Sequence, residues 1–420
     1  MDIFDKIDKS MGHLGQYADQ AHGYFTFPKL EGEIGTRMKF NGKERLVWSL
    51  NDYLGLANHP EVRKADAEAA AKYGFGHPMG SRMLTGNSEY HEQLEKMYAE
   101  YAQKEDAILV NFGYQGNISL IQALLDRRDV VIYDSLSHAC IIDGVVGTLA
   151  KRFIYEHNNM EQLEKRLQNA VKIVEKTGGG ILVITEGVFG MKGDLGYLPG
   201  IVELKKKYPF RILIDDAHGF GVMGKTGMGT AEHYGVQQEI DIIFNTFAKS
   251  MAMIGGFIAG DKKIMRYLRY NMRSQIYAKT MPTALVIGAT KRLEILRNDH
   301  ARREHLWTIV NALQEGFKAR GFDIGPTQSP VTPVYMKGSI WECRNLSLDL
   351  RENYNIFMSV VTYPVIEKGA IILRVIPTAN HTLEDVNYTL NAFAEIRAKL
   401  DAGAYDDDKM VSGFIPKIVF

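Results

Sequence analysis

The stretch Asp241-Ile242-Ile243-Phe244-Asn245-Thr246-Phe247-Ala248-Lys249-Ser250 governs how this chain is read. Its apolar run, Ile242-Ile243-Phe244, is bounded by polar residues, as a short buried strand is. Lys249 follows, just ahead of the pair Gly255-Gly256. A lysine at the end of a buried strand must be desolvated or paired. Desolvation also lowers its pKa and makes the amine a nucleophile of the Schiff-base kind. Most lysines after a strand are merely solvated loop residues, so the reading of Lys249 depends on what the neighbouring strands end in.

Working outward, the same apolar pattern recurs at residues 107–110, 130–133, 181–184 and 211–214, with helical stretches at 161–175 and 198–207. Strands alternating with helices from about residue 51 to 291 predict an α/β fold, a mostly parallel sheet covered by helices on both faces. In such a sheet ligands bind beyond the carboxyl ends of the strands. The domain reading is an N-terminal segment at 1–50 that closes in a strand at 46–50, a large domain at 51–292, and a smaller C-terminal α+β domain at 293–420. The last of these holds strands at 331–335 and 370–375 and a helix at 383–400. The tail carries Asp406-Asp407-Asp408 and an apolar end at 414–420, expected to pack on the body or on a partner subunit.

Composition narrows the class without choosing a chemistry. A chain of 420 residues accommodates about two or three core units. Its 50 basic and 50 acidic residues balance, leaving no electrostatic footprint for nucleic acid or an anionic membrane. The two cysteines, Cys140 and Cys343, are too few for a disulfide framework or a zinc site, so no metal is expected. No signal-peptide pattern opens the chain, and no stretch reaches the roughly 18 apolar residues of a transmembrane segment. A cytoplasmic location is the expectation.

The strand ends carry the candidate chemistry. Residues 211–214 run into Asp215-Asp216-Ala217-His218; the acidic pair either caps a following helix or holds a ring nitrogen protonated, as pyridoxal phosphate requires of its protein. His218 is then placed to bond that cofactor's phenolic oxygen. His138, after residues 130–133, is either a solvated loop histidine or a ring that stacks on a planar cofactor. Gly113 and Tyr114, where a helix starts after residues 107–110, form a plain turn or a phosphate cradle of free backbone N–H groups. Glu186, after residues 181–184, adds another polar group to the same rim. Gly219-Phe220-Gly221-Val222-Met223-Gly224 spells the dinucleotide fingerprint, but Asp215 to His218 intervene after the strand and no helix pattern follows. Asp241 begins the next strand instead of ending it, so a Rossmann dehydrogenase is disfavoured.

With these residues in view, the chain resembles the α-oxoamine synthases, pyridoxal-phosphate enzymes of fold type I. That family includes serine palmitoyltransferase, 8-amino-7-oxononanoate synthase, 5-aminolevulinate synthase and 2-amino-3-ketobutyrate ligase. The similar stretches run from Ser49 to His381: Asn51-Asp52-Tyr53-Leu54-Gly55-Leu56, Gly80-Ser81-Arg82 with Gly86 and His91, 134–138, 185–194, 215–221, 246–256 and Leu373-Arg374-Val375.

The resemblance implies that Lys249 holds pyridoxal phosphate as a Schiff base and shuttles the Cα proton. It implies that Asp215 pairs with the pyridine nitrogen, His138 stacks on the ring and His218 contacts the phenolic oxygen. Lys249, His138, Asp215 and His218 are thus the catalytic set, with Glu186 beside them in the cofactor site. Thr246 and the Gly113-Tyr114 backbone would hold the phosphate, and Thr280 would reach the phosphate of the partner subunit in a homodimer with its active site at the interface. Asn51, Ser81 and Arg374 fall to the substrate, the guanidinium suiting a carboxylate through its bidentate fork.

Two departures from the family pattern stand out: Gly190, where several relatives have serine, and the bulky loop 74–80 with His77 and Met79. The implied reaction is a decarboxylative condensation of an amino acid with an acyl thioester carried by coenzyme A or an acyl carrier protein. Serine or an analogue such as cysteate, with a long acyl chain, is favoured, as in sphingolipid or sulfonolipid synthesis. The alternatives are an aminononanoate synthase or ketobutyrate ligase, a fold-type-I aminotransferase, and a catalytically silent regulatory subunit, against which the presence of Lys249 argues.

Overall fold

Runs such as Val130-Val131-Ile132-Tyr133 have no polar face to offer water, and in the computed structural model they are strands buried on both sides. The structure describes residues 2–5, 7, 10, 12–15, 18–336, 339–363, 365–367 and 370–406. The acidic and apolar tail at 407–420 lies outside the described residues. Contacts divide the chain into two units, residues 51–190 with 194–303, and residues 1–50, 191–193 and 304–420.

The larger unit is built on a seven-stranded sheet. Its strands are β1 (Asp106–Val110), β2 (Val130–Asp134), β3 (Lys151–Tyr155), β4 (Ile181–Glu186), β5 (Arg211–Asp215), β6 (Ile242–Thr246) and β7 (Gly256–Gly260), in the order β1-β7-β6-β5-β4-β2-β3. From β6 to β3 every pairing is parallel, and β7 alone runs antiparallel to its neighbours β6 and β1. The 247–255 connection explains the reversal, being too short for a crossover helix. The mostly parallel sheet read from the sequence is therefore present.

Successive residues of each strand feed opposite cores, as the pleat dictates. Val131, Leu182, Leu213 and Phe244 pack with Leu120, Ile121, Ile141 and Met265 from the helices Gly113–Leu124, Ala139–Val146 and Lys262–Asn271. Val130, Val183, Ile212 and Ile243 pack on the other face with Leu163, Leu167 and Ile201 from Met160–Thr177 and Leu198–Lys205. Two strands escaped the sequence reading for opposite reasons. β3 is a charged edge strand of which only Tyr155 is buried, and β7 is a short run framed by glycines.

The smaller unit holds the antiparallel strands Thr332–Met336, Ile371–Val375 and Ser359–Val361, and a second sheet containing Arg37–Phe40, Lys43–Val47 and Ile356–Phe357. The strand expected at 46–50 lies earlier, at Lys43–Val47, and Trp48, just past its end, still donates its N–H to the Phe357 carbonyl at 2.9 Å. The Trp48 carbonyl takes the Ile376 N–H at 2.7 Å, and its ring stacks on His381 with centroids 3.8 Å apart and planes 7° apart. The Trp48 indole N–H donates to Thr389 Oγ1 at 3.0 Å. Burial lowers His381 to about 4, so a neutral imidazole does the stacking. Among the described residues no helix is long and apolar enough to cross a membrane.

Truncating Trp48 removes the stack and a buried hydrogen bond together. Trp48→Ala is expected to cost about 3–5 kcal/mol, read as a lower urea midpoint with an unchanged slope.

Candidate active site

The carboxyl ends of β2, β4 and β5, neighbours in the sheet, finish in Asp134, Glu186 and Asp215, with Glu186 and Asp215 directly in register. All three carboxylates are buried. Asp215 Oδ2 accepts from Asn117 Nδ2 at 2.8 Å and Oδ1 from the Ala217 N–H at 3.1 Å. Asp216, its neighbour, points elsewhere: its oxygens accept from the Thr230 N–H at 2.6 Å and Thr230 Oγ1 at 2.7 Å. The acidic pair thus divides its tasks. Asp216 ties down the start of the helix Thr230–His233, and Asp215 stays with the rim.

Glu186 Oε1 accepts the backbone N–H of His138 at 2.5 Å. Burial, reinforced by the charge of Asp215, pushes Glu186 well above the carboxylate range, against the opposing pull of that N–H and of Lys249. His138 opens the helix Ala139–Val146, with its Nδ1 3.0 Å from Cys140 Sγ. Burial lowers its pKa; Asp215 opposes that, and the cation of Lys249 lowers it further. The half-buried Lys249 therefore shares one electrostatic neighbourhood with Asp215, Glu186 and His138.

His218 is buried, with Tyr53 Oη 2.8 Å from its Nδ1. A Cβ at Gly190 would fall 2.1 Å from His218 Nε2. The absence of a side chain at this departure from the family pattern is thus what makes room for the imidazole.

On β6, Thr246 Oγ1 donates to the Gly255 carbonyl at 3.1 Å and accepts the Ala248 N–H at 3.2 Å. A Cβ on Gly113 would lie 2.7 Å from that hydroxyl oxygen. Glycine therefore lets Thr246 approach the first turn of Gly113–Leu124, a helix with no side-chain N-cap. The unclaimed N–H groups of a first turn beside a hydroxyl make an anion cradle. Tyr114, on that turn, presents its ring edge-on to His138 at 6.1 Å, and its hydroxyl bonds Asp143. A phosphate cradle, a buried carboxylate for a ring nitrogen, an imidazole and a lysine are the donor set that pyridoxal phosphate needs, and the residues fit it.

The remaining expected residues make local contacts of their own. Thr280 is buried against His91, Oγ1 to Nε2 3.2 Å, and its N–H donates to the Gly80 carbonyl at 2.9 Å. Ser81 Oγ is buried with no hydrogen-bond partner among the described residues. Its neighbour Arg82 is bidentate to Glu95 at 2.7 and 3.1 Å. Asn51 is half-buried in the larger unit, and Arg374 is buried in the smaller one, on Ile371–Val375. In the bulky loop, His77 Nδ1 is 3.1 Å from Thr283 Oγ1, and Met79 is exposed. Sequence reasoning assigned no role to Asn117, Tyr53 or Cys140. Only Asn117 carried a signal, a polar residue one turn on from Gly113 in a helix that faces an apolar core.

Residues 43–393 match the family described as aminotransferase class I and II. The chain is 57% identical over 404 residues to a cysteate-C-fatty acyltransferase of Capnocytophaga ochracea, covering 96% of each protein. It is 37% identical to a serine palmitoyltransferase of Bacteroides ovatus over 90% of this chain and 94% of that one. The structure of a serine palmitoyltransferase from S. paucimobilis with bound PLP and myriocin superposes with a TM-score of 0.87 at 28% identity, covering 96% of this chain and all of that one. The chain belongs to the class I and II aminotransferase family and, within it, to the α-oxoamine synthases. It is a pyridoxal-phosphate-dependent acyltransferase.

Restoring a side chain at position 190 tests the packing of His218. Gly190→Ala is expected to lower kcat by about tenfold or more, since any Cβ must displace the ring. The thermal midpoint should move by only a few degrees. Wild-type turnover in the variant would show that the ring is not held there.

Proposed function

We propose that this enzyme condenses cysteate with a long-chain fatty acyl thioester, with loss of carbon dioxide, to make a sulfonated long-chain base for sulfonolipid synthesis. The observation that carries the proposal is the 57% identity to a cysteate-C-fatty acyltransferase across nearly the whole of both chains, against 37% to serine palmitoyltransferases. The residues that surround the cofactor leave the choice of amino acid open.

Pyridoxal phosphate, when bound, supplies the electron sink that stabilises a carbanion at Cα. The chain's own residues do the rest. Thr246 with the Gly113 and Tyr114 N–H groups binds the phosphate, and Asp215, held by Asn117, keeps the ring nitrogen protonated. His138 covers one face of the ring, His218 bonds the phenolic oxygen, and Glu186 supports the loop that carries His138. Lys249 holds the cofactor between turnovers; its amine then takes the Cα proton. As the thioester acylates Cα with loss of its thiol and the carboxylate leaves as carbon dioxide, the Lys249 ammonium would return a proton to Cα, giving an α-amino ketone.

Asn51, Ser81 and Arg374 are the residues proposed for the amino-acid substrate, Asn51 and Arg374 for its carboxylate. The family resemblance supports a cytoplasmic homodimer in which Thr280 serves the partner's phosphate. Whether coenzyme A or an acyl carrier protein delivers the chain belongs to the same test.

The test is a substrate panel. Purified holoenzyme is given cysteate, serine, alanine or glycine with long-chain acyl-CoA or acyl carrier protein, and products are read by mass. The expected result is a product that retains the sulfonate, with kcat/KM for cysteate at least about tenfold above serine, the equivalent of one additional charged contact. Faster turnover of serine, alanine or glycine contradicts the cysteate assignment. Accumulation of a keto acid without acyl transfer would mean an aminotransferase.

A further inference from the structure

A cluster of titratable groups beside the rim has no part in the chemistry described above. His157 follows β3, an edge strand, and its ring lies between a carboxylate that ends β2 and one from the loop after β4. Nδ1 is 3.0 and 3.1 Å from the two oxygens of Asp134, and Nε2 is 2.6 Å from Asp194 Oδ2. An ionised carboxylate only accepts, so both ring nitrogens donate and the ring is an imidazolium. The other groups facing it are the Asn158 amide, whose Nδ2 is 3.3 Å from Nε2, the edge-on ring of Phe189, 4.4 Å away, and near Asp134 the phenol of Tyr155, which burial keeps neutral. Burial of His157 works against its charge, but the bonds to Asp134 and Asp194 outweigh burial and raise it to about 9.

What the cluster joins is more telling than its charge. Asp134 organises the loop that leads to His138, accepting the Leu136 N–H at 2.9 Å on its side chain and the Ser137 N–H at 3.1 Å on its carbonyl. Asp194 closes the turn that carries Gly190, its carbonyl accepting the Phe189 N–H at 2.9 Å. Asn158 repeats the linkage: its N–H donates to Asp134 at 3.1 Å, its Nδ2 to the Leu195 carbonyl at 2.9 Å, and its Oδ1 accepts the Tyr197 N–H at 2.9 Å. The His157-Asn158 pair thus buckles the loop after β2 to the loop after β4.

We propose that His157 is a positioning residue for the acyl-transfer site, its imidazolium holding the His138 loop and the Gly190 turn in register. The proposal rests on the assignment of His138 and His218 to pyridoxal phosphate, and not on the identity of the amino acid. The charge state sets its sign with pH. The folded pKa lies above the ordinary value of about 6.5, so the clamp is intact below that value and is lost as pH rises through about 9.

The test compares wild type, His157→Gln and Asp194→Asn by the dissociation constant for pyridoxal phosphate, followed by visible circular dichroism from about pH 7 to about pH 10. Near neutrality both variants should keep the far-ultraviolet spectrum of the wild type. Each should bind the cofactor about tenfold more weakly, as for one lost hydrogen bond to a charged group. Wild-type affinity should fall as pH passes about 9, whereas His157→Gln should show no such step and Asp194→Asn should show it at lower pH. Steady-state kinetics should show kcat falling more than KM for the amino acid rises. Native affinity and visible signal in both variants, or the same alkaline step in His157→Gln as in wild type, would overturn the proposal. Should His157→Gln fail to fold, a wild-type affinity that is flat through the alkaline range overturns it equally. No amino acid or thioester enters the cofactor titration, so an error in the substrate assignment leaves this result untouched.

Discussion

Three carboxylates buried at the ends of three neighbouring strands, Asp134, Glu186 and Asp215, are the constraint around which the larger unit is organised. Buried carboxylates need partners or a proton, and each is answered differently. Asp134 faces an imidazolium and two backbone N–H groups. Glu186 is held by the His138 N–H and driven toward its protonated form by burial and by Asp215. Asp215 has an asparagine and a backbone N–H, which leave its negative charge available to a ligand. Lys249 follows β6, the next strand in the order, and completes the electrostatics of that rim.

This arrangement explains why the fold and the reaction class could be read from the amino-acid sequence more fully than the site could. Strands β4, β5 and β6 are runs of apolar residues ended by polar ones, and a pattern of that kind is local. The edge strand β3 and the glycine-framed β7 lack it, because their place is set by neighbours rather than by their own hydrophobicity. The ambiguity of Asp215 and Asp216 was real at the level of sequence. Thr230, which settles what Asp216 does, opens a helix 14 residues further along the chain. The clamp at His157 was illegible for the same reason, its partners lying 23 and 37 residues away along the chain.

The groups read most securely are those that would address the cofactor. Phosphate cradle, ring-nitrogen carboxylate, stacking imidazole and Schiff-base lysine would all address the cofactor, which is the same for every amino-acid substrate, so they would say nothing about the side chain that is processed. Gly190 is instructive here. Expected from the resemblance to bear on a cofactor or substrate hydrogen bond, it is seen to leave room for the ring of His218.

The central claim is that Lys249 carries the cofactor. Reduction of the holoenzyme with borohydride, followed by proteolysis and mass spectrometry, locates the covalent link directly. The reduced cofactor is expected on the peptide containing Lys249 and on no other. A label on a different lysine, or a holoenzyme that binds the cofactor with no reducible link, would contradict it.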